Sequence, residues 1–318
     1  MIEEIFAPLA ATAPGALGLK DDAAWCALAP GHEMIVTADA LVEGVHFLRD
    51  DPPALIARKA LRVNLSDLAA KGAKPEAYLL TISIAPWVDA DWLKAFADGL
   101  ASDQNEFGIA LIGGDTTATP GPLTLSVTAL GSIPKGAMLR RNGAGEGELV
   151  FVTGTIGDAG AGLAILRGDG DNLREPDRDM LVRRYLLPQP RLLLGGMLKG
   201  IATSSVDVSD GLLADLGHIA NVSGVGITIE AARIPLSPAL INLWGEQLDT
   251  VIRAATAGDD YEIAFTAPAS LRQPLNAAAA EVGVSVVEIG RVEAGSGVTL
   301  LGESGQALRV EKPGFTHF

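Results

Sequence analysis

The stretch VDVSDGLLADLGHI (206–219) places three carboxylates, Asp207, Asp210 and Asp215, within nine residues of an otherwise apolar segment. The run SSVDVSD reads as a strand, and GLLADLGHI opens a helix. Like charges crowded at a strand-to-helix turn suffer repulsion and desolvation, so a positive species is expected beside them. Asp and Ser are also good helix N-caps, which is the plain reading of Asp207, Ser209 or Asp210 taken singly. Asp215, a turn further along, reads as a solvated carboxylate or as one that backs the site without touching a ligand.

The same alternation of strand and helix extends in both directions. MIVTADALVEGVHF (34–47) opens as a strand and ends in a Gly-bearing turn, and 52–75 reads as a helix stopped by Gly72 and Pro75. Strands follow at 78–85, 109–116 and 123–133, with a helix over 90–107. The polar, Gly-rich RRNGAGEGE (140–148) is the linker candidate. Beyond it come a strand, a glycine turn and a helix in LVFVTGTIGDAGAGLAIL, then helices over 176–200. The last third holds a strand at 225–230, helices near 237–256, a strand in YEIAFT, a helix over 268–282 and a strand in VSVVEIGRV. The fold class expected is α+β (mixed α/β) in two domains, 1–145 and 146–318.

A net charge of −15 repels nucleic acid and anionic membranes, so phosphate ligands require local Arg residues or bridging cations. The single Cys26 excludes an internal disulfide and any multi-cysteine zinc site, and in the apolar AAWCALA it reads as buried. The N-terminus lacks the basic region and apolar core of a secretory signal. No apolar run reaches the roughly 18–20 residues of a membrane span. A soluble cytoplasmic protein is expected.

Six stretches place an aspartate at a strand end or helix start: KDDAA (20–24), TADALVEGVHF (37–47), NLSD (64–67), GGDT (113–116), DVSDG (207–211) and GDDYE (258–262). Asp67 falls mid-helix, where Asp is a poor former, beside apolar Leu65 and Leu68. Carboxylates spread over many elements, with scarcely a lysine among them, suit a hard divalent cation such as Mg²⁺ with substrate phosphates. The histidines (32, 46, 218, 317) lack zinc-site spacing. No Walker-type loop, dinucleotide fingerprint or nucleophile elbow is present, and the glycines of GTIGDAGAG (154–162) read as close helix–sheet packing.

The order of these motifs resembles the thiamine-monophosphate kinase family, within the superfamily of aminoimidazole ribonucleotide synthetase and selenophosphate synthetase. The likeness runs from DDAA through DALVEGVHF, RKALRVNLSDLAAKGAKP, GGDTT, RNGA, PQPR, DVSDGLLADLGHIA and GDDYE to GFTHF. LVEGVHF and GFTHF are its most specific pieces. The resemblance implies ATP-dependent phosphorylation of thiamine monophosphate to thiamine diphosphate, the last step of thiamine diphosphate biosynthesis. It also implies several Mg²⁺ ions and a homodimer paired through an N-terminal domain that binds ATP and Mg²⁺, with a C-terminal α/β domain closing the active site. By position, Asp22, Thr37, Ala38 (through its backbone), Asp39, Asp67, Asp115, Asp207 and Asp210 would serve the metal ions. Gly114, Arg141 and Ser209 would touch ATP, and His46, Asp259 and Phe315 the thiamine phosphate. No catalytic general base is implied.

Three positions depart from the family pattern: Lys20 stands for a Gly, Ala38 for a frequent Thr, and Asp259 for a Glu. A turn needing positive φ at Lys20 would be strained. Arg191 and Lys59 read as either dimer or phosphate contacts, and His218 as an ordinary helix-face residue. The helix after Gly211 offers backbone N–H groups to phosphate. The alternatives are another ATP-using enzyme of the superfamily, ring-closing or selenophosphate-forming, and a non-catalytic nucleotide or metal binder. Cys26 follows DDAA rather than preceding it, which speaks against the selenophosphate branch.

Overall fold

A computed structural model describes residues 1–316; His317 and Phe318, the last two of GFTHF, lie outside the described residues. The chain divides into two compact units. One comprises Met1–Leu68 with Ala73–Ala137, and the other Ala69–Gly72 with the chain from Met138 onward.

In the first unit, short helical turns over 2–19 precede β1 (His32–Val42), α1 (Pro53–Ala70), β2 (Lys74–Ile84), α2 (Ala90–Phe107), β3 (Ala110–Ala118) and β4 (Thr124–Pro134). The sheet order is β1-β4-β2-β3, with β4 antiparallel to both its neighbours and β2 parallel to β3. Side chains alternate across a strand, so each sheet face has its own composition. Leu41, Leu125, Val127, Tyr78 and Ile82 share the buried face. On the opposite face Met34, Val36 and Leu79 stay exposed. The N-terminal turns cover part of it, where Ala10 and Ala16 cluster with Ala77 and Ile112.

Helix α2 starts where the Asp89 side chain accepts the Trp92 N–H and stops at Gly108 in the left-handed region. It packs tightly on the preceding helix, since a Cβ on Gly99 would strike the Ala54 backbone. A buried ion cluster joins the two. Arg62, 1% exposed, pairs with Asp103 at 2.8 Å and with Glu106 at 2.6 Å, and Arg58 reaches Asp103 at 2.7 Å.

In the second unit, β5 (Leu149–Thr153) leads to α3 (Asp158–Leu166), α4 (Glu175–Leu186), α5 (Leu192–Met197), β6 (Ser204–Asp207) and α6 (Leu212–Ser223). Then follow β7 (Gly226–Glu230), α7 (Pro238–Trp244), α8 (Leu248–Ala255), β8 (Ile263–Ala267), α9 (Arg272–Glu281), β9 (Val286–Glu293) and β10 (Gly297–Leu301). The sheet order is β10-β7-β9-β5-β8-β6. Val150, Val152, Val206 and Ala264 face Leu212, Leu216 and Ile219 of α6. Phe151, Ile263 and Phe265 face the opposite way, against Leu194 and Leu198 and against Leu275 of α9.

Two sequence expectations change here. Gly157 and Gly162 bring helix to helix rather than helix to sheet: a Cβ on Gly157 would meet Ala254, and one on Gly162 would meet the Leu181 backbone. Cys26 and Trp25 are exposed, because residues 23–29 form neither helix nor strand and bury no regular face.

Removing one member of a buried ion cluster strands the others in low dielectric. Asp103→Ala is therefore expected to lower the unfolding free energy by about 3–5 kcal/mol, read by urea denaturation.

Candidate active site

β6 carries Asp207, 4% exposed, to its last position, opposite Ile263 of β8. The pairing continues past both strands. Val208 N–H donates to the Glu262 carbonyl, Tyr261 N–H to Val208 and Asp259 N–H to Ser209, each at 2.8 Å. The turns of DVSDG and GDDYE are thus laced together by main-chain bonds. The chain returns near its end, where Phe315 N–H donates to the Asp210 carbonyl at 2.8 Å. Four expected site residues, Ser209, Asp210, Asp259 and Phe315, therefore meet in one loop cluster, and Phe315 is 48% exposed.

Asp259 has φ +65°. Short hydrogen-bonding side chains enter this left-handed region at lower cost than longer ones, which gives Asp at this position a backbone rationale.

Asp215 is not solvated but backs the turn. It is 1% exposed, and one of its oxygens accepts the N–H groups of Ser209, Asp210 and Gly211 at 3.0, 3.0 and 3.1 Å. Burial, and then the Asp210 charge, push its pKa up to about 7, against the pull of the three donors. Asp215 holds the turn's shape, and the N–H groups of 209–211 point to it rather than to a ligand. His218, exposed on α6, places a ring nitrogen within 4.8 Å of carboxylate oxygens of Asp210 and Asp215.

In the first unit the expected metal ligands fall into two groups. Thr37 and Asp39 lie two residues apart on one face of β1, and the Thr37 hydroxyl donates to the Asp67 carboxylate. Asp22 and Asp115 instead line a cavity of about 630 Å³ with Gly114, the expected ATP contact, and with Phe6, Met34 and Leu79. Asp39 and Gly114 share a row through Val127 and Leu80 but sit on opposite edge strands, about 14 Å apart at the usual strand spacing. Gly114 is required as such, for its φ is +153° and a Cβ would collide with the Leu80 carbonyl. Ala38 is exposed, on the opposite face of β1 from Thr37 and Asp39.

His46 sits in the turn after β1, its Nδ1 accepting the Val42 N–H at 3.0 Å; Nε2 then carries the proton in the neutral ring. Glu43 braces that turn by accepting Trp87 Nε1–H at 3.1 Å and Leu123 N–H at 3.0 Å. Lys59 is buried on α1, 2% exposed, and Arg141 is exposed. Lys20 has φ −111°, so no strain arises there; the left-handed residues are Leu17, Gly18 and Leu19.

Not every carboxylate of GDDYE faces a ligand site. Asp260, buried, accepts Gly157 N–H at 2.8 Å and Ala159 N–H at 3.4 Å at the start of α3, and burial raises its pKa. Glu262, fully buried, accepts the Thr153 hydroxyl at 2.6 Å, Arg184 at 2.8 Å and both Arg191 Nε and Nη2, at 2.7 and 2.5 Å. This network was missed in the sequence. Its signal was a Glu opening the apolar strand YEIAFT, where a buried charge requires a partner. The charged partners are Arg184 and Arg191, the second of which the sequence left open as a dimer or phosphate contact.

The two-unit architecture matches two family descriptions, "AIR synthase related protein, N-terminal domain" over residues 20–133 and "AIR synthase related protein, C-terminal domain" over 145–303. Thiamine-monophosphate kinase of Caulobacter vibrioides is 43% identical over 94% of this chain and 84% of its own length. The crystal structure of thiamine-monophosphate kinase from Stenotrophomonas maltophilia K279a is 42% identical, with TM-score 0.83 over 91% of each chain. A solved structure of AaThiL complexed with AMPPCP and TMP is 32% identical, with TM-score 0.81 over 92% of this chain and 89% of that one. The chain belongs to the thiamine-monophosphate kinase family of AIR synthase related proteins.

Asp215→Ala removes the acceptor of three N–H groups at a half-buried turn. It is expected to cost about 3 kcal/mol of stability, measured by urea denaturation.

Proposed function

We propose that this chain is a thiamine-monophosphate kinase that transfers the γ-phosphoryl group of ATP to thiamine monophosphate, giving ADP and thiamine diphosphate. The supporting observation is the joining of Ser209, Asp210, Asp259 and Phe315 in one laced loop cluster, in a chain 43% identical to a curated kinase of that name. The complex of a relative with AMPPCP, an ATP analogue, and TMP supports the same pair of substrates.

A phosphate monoester has a second pKa near 6, so the acceptor is largely a dianion at neutral pH and needs no general base. The transfer is then direct and in line, and the protein's part is to position and shield two polyanions. We assign acceptor contacts to His46, Asp259 and Phe315. The exposed Phe315 ring offers a flat apolar surface to the thiamine ring system, and Asp259 a carboxylate to its positive charge. Gly114, Arg141 and Ser209 are assigned to ATP.

Mg²⁺ fits the donor set. Asp22, Thr37, Ala38 (through its carbonyl), Asp39, Asp67, Asp115, Asp207 and Asp210 offer only oxygen, the ligand type that hard cations take. When bound, Mg²⁺ neutralises phosphate charge that an acidic protein cannot. Asp39 and Asp115 lie on opposite edge strands, three strand spacings or about 14 Å apart, more than one ion bonding at about 2.1 Å can span, so the assignment calls for more than one ion. No helix among the described residues is long and apolar enough to cross a membrane. We place the enzyme in the cytoplasm as a homodimer paired through the exposed sheet face bearing Met34, Val36 and Leu79.

Incubation with ATP, Mg²⁺ and either thiamine monophosphate or thiamine should yield thiamine diphosphate and ADP from the monophosphate alone, with no product after EDTA. Magnesium-dependent ATP binding without product from either acceptor would overturn the substrate assignment. Asp67→Asn, which removes one charged ligand, should raise the Mg²⁺ concentration for half-maximal rate about tenfold or more. Val36→Asp should shift sedimentation from dimer to monomer; an unchanged dimer would move the interface elsewhere.

A further inference from the structure

The turn Gly258–Tyr261 holds two non-glycine residues in the left-handed region, Asp259 at φ +65° and Tyr261 at φ +51°. Such residues persist only where the surroundings over-determine them, and the surroundings here are specific. The side chains that follow each of them turn inward, Asp260 to the start of α3 and Glu262 to two guanidiniums. Arg184 comes from α4, and Arg191 stands at the N-terminal boundary of α5, so two helices fix the carboxylate that ends the turn. Arg191 grips it with two nitrogens, a geometry that sets direction as well as distance. Gly154, at φ +60°, makes room for it, since a Cβ there would overlap the Glu262 carboxylate. The Glu262 carbonyl meanwhile accepts the Val208 N–H, so the residue is held at side chain and main chain together.

A core needs no such cluster for stability, because well-packed apolar residues often replace buried ion pairs without loss. What the cluster supplies is a fixed origin for the turn. We propose that Glu262, clamped by Arg184 and Arg191, is a positioning residue for the acceptor: it sets the backbone of 258–261 and through it the aim of Asp259. The proposal rests on the reading that Asp259 meets thiamine monophosphate. Neither Glu262 nor its arginines touch substrate; they act through the turn.

The test uses the full chain with E262Q and R191A, the second at a residue partly open to solvent and independent of the folding of the first. Loss of charge-assisted bonds worth about 1.5–3 kcal/mol should raise the KM for thiamine monophosphate about tenfold or more. The KM for ATP should stay near the wild-type value for R191A. In substrate-free protein, amide exchange at Asp259 and Tyr261 should quicken by a similar factor, with the Phe151 and Phe265 amides of β5 and β8 unchanged. Guanidinium chloride at millimolar concentration should restore the acceptor KM of R191A, and NaCl of equal ionic strength should not.

A rise in both KM values together, or unchanged exchange at Asp259 and Tyr261, overturns the proposal. Wild-type protein that makes no thiamine diphosphate overturns the kinase reading and the acceptor role with it. The exchange measurement, which needs no substrate, still decides whether Glu262 holds the turn. If E262Q fails to fold, R191A with guanidinium rescue decides alone.

Discussion

Three successive N–H groups, from Ser209, Asp210 and Gly211, converge on one buried carboxylate oxygen of Asp215. Most of the second unit's loop cluster depends on that convergence. It curls the chain tightly between β6 and α6 and leaves the carbonyls of Val208, Ser209 and Asp210 facing outward. Those carbonyls then accept from Tyr261, Asp259 and Phe315, which draws two distant stretches of chain onto the turn. The arrangement keeps a carboxylate buried, and its raised pKa records the burial and the nearby Asp210 charge.

The crowding of carboxylates in 206–219 thus has two physical causes in one stretch. Asp215 serves the backbone, while Asp207 and Asp210 are the two carboxylates we propose for Mg²⁺. The same division recurs in GDDYE: Asp260 caps N–H groups at α3, Glu262 meets arginines, and Asp259 takes the left-handed turn before them. Like charges are tolerated because each answers to a different partner. In the first unit the division is spatial, with Thr37, Asp39 and Asp67 grouped by β1 and α1, and Asp22 and Asp115 in a cavity with an apolar wall.

Much of the fold was legible because period and punctuation agree. The helix expected over 90–107 matches α2 at both ends, where an Asp caps the start and a glycine stops it. Alternation in 123–133 marks β4, whose Leu125 and Val127 are buried. What failed to show lacked those signals. β10 is five residues long with little apolar contrast, and the turns over 2–19 are too short for a helical period. Cys26 was misplaced because an apolar neighbourhood in sequence says nothing of burial where no regular element forms.

By itself the sequence determined the α+β class, the placing of aspartates at strand ends and helix starts, and the family, because these rest on local periodicity, turn chemistry and motif order. Which carboxylate meets which partner was decided only by the tertiary structure. Asp215 and Asp210 are the same residue type five positions apart, yet one is buried under three N–H groups and the other is not. Glu262 and Arg191 are 71 residues apart in the chain. A charge reveals its role only once folding has fixed what lies within a few ångströms of it, since solvation, hydrogen bonds and neighbouring charges all act at that range.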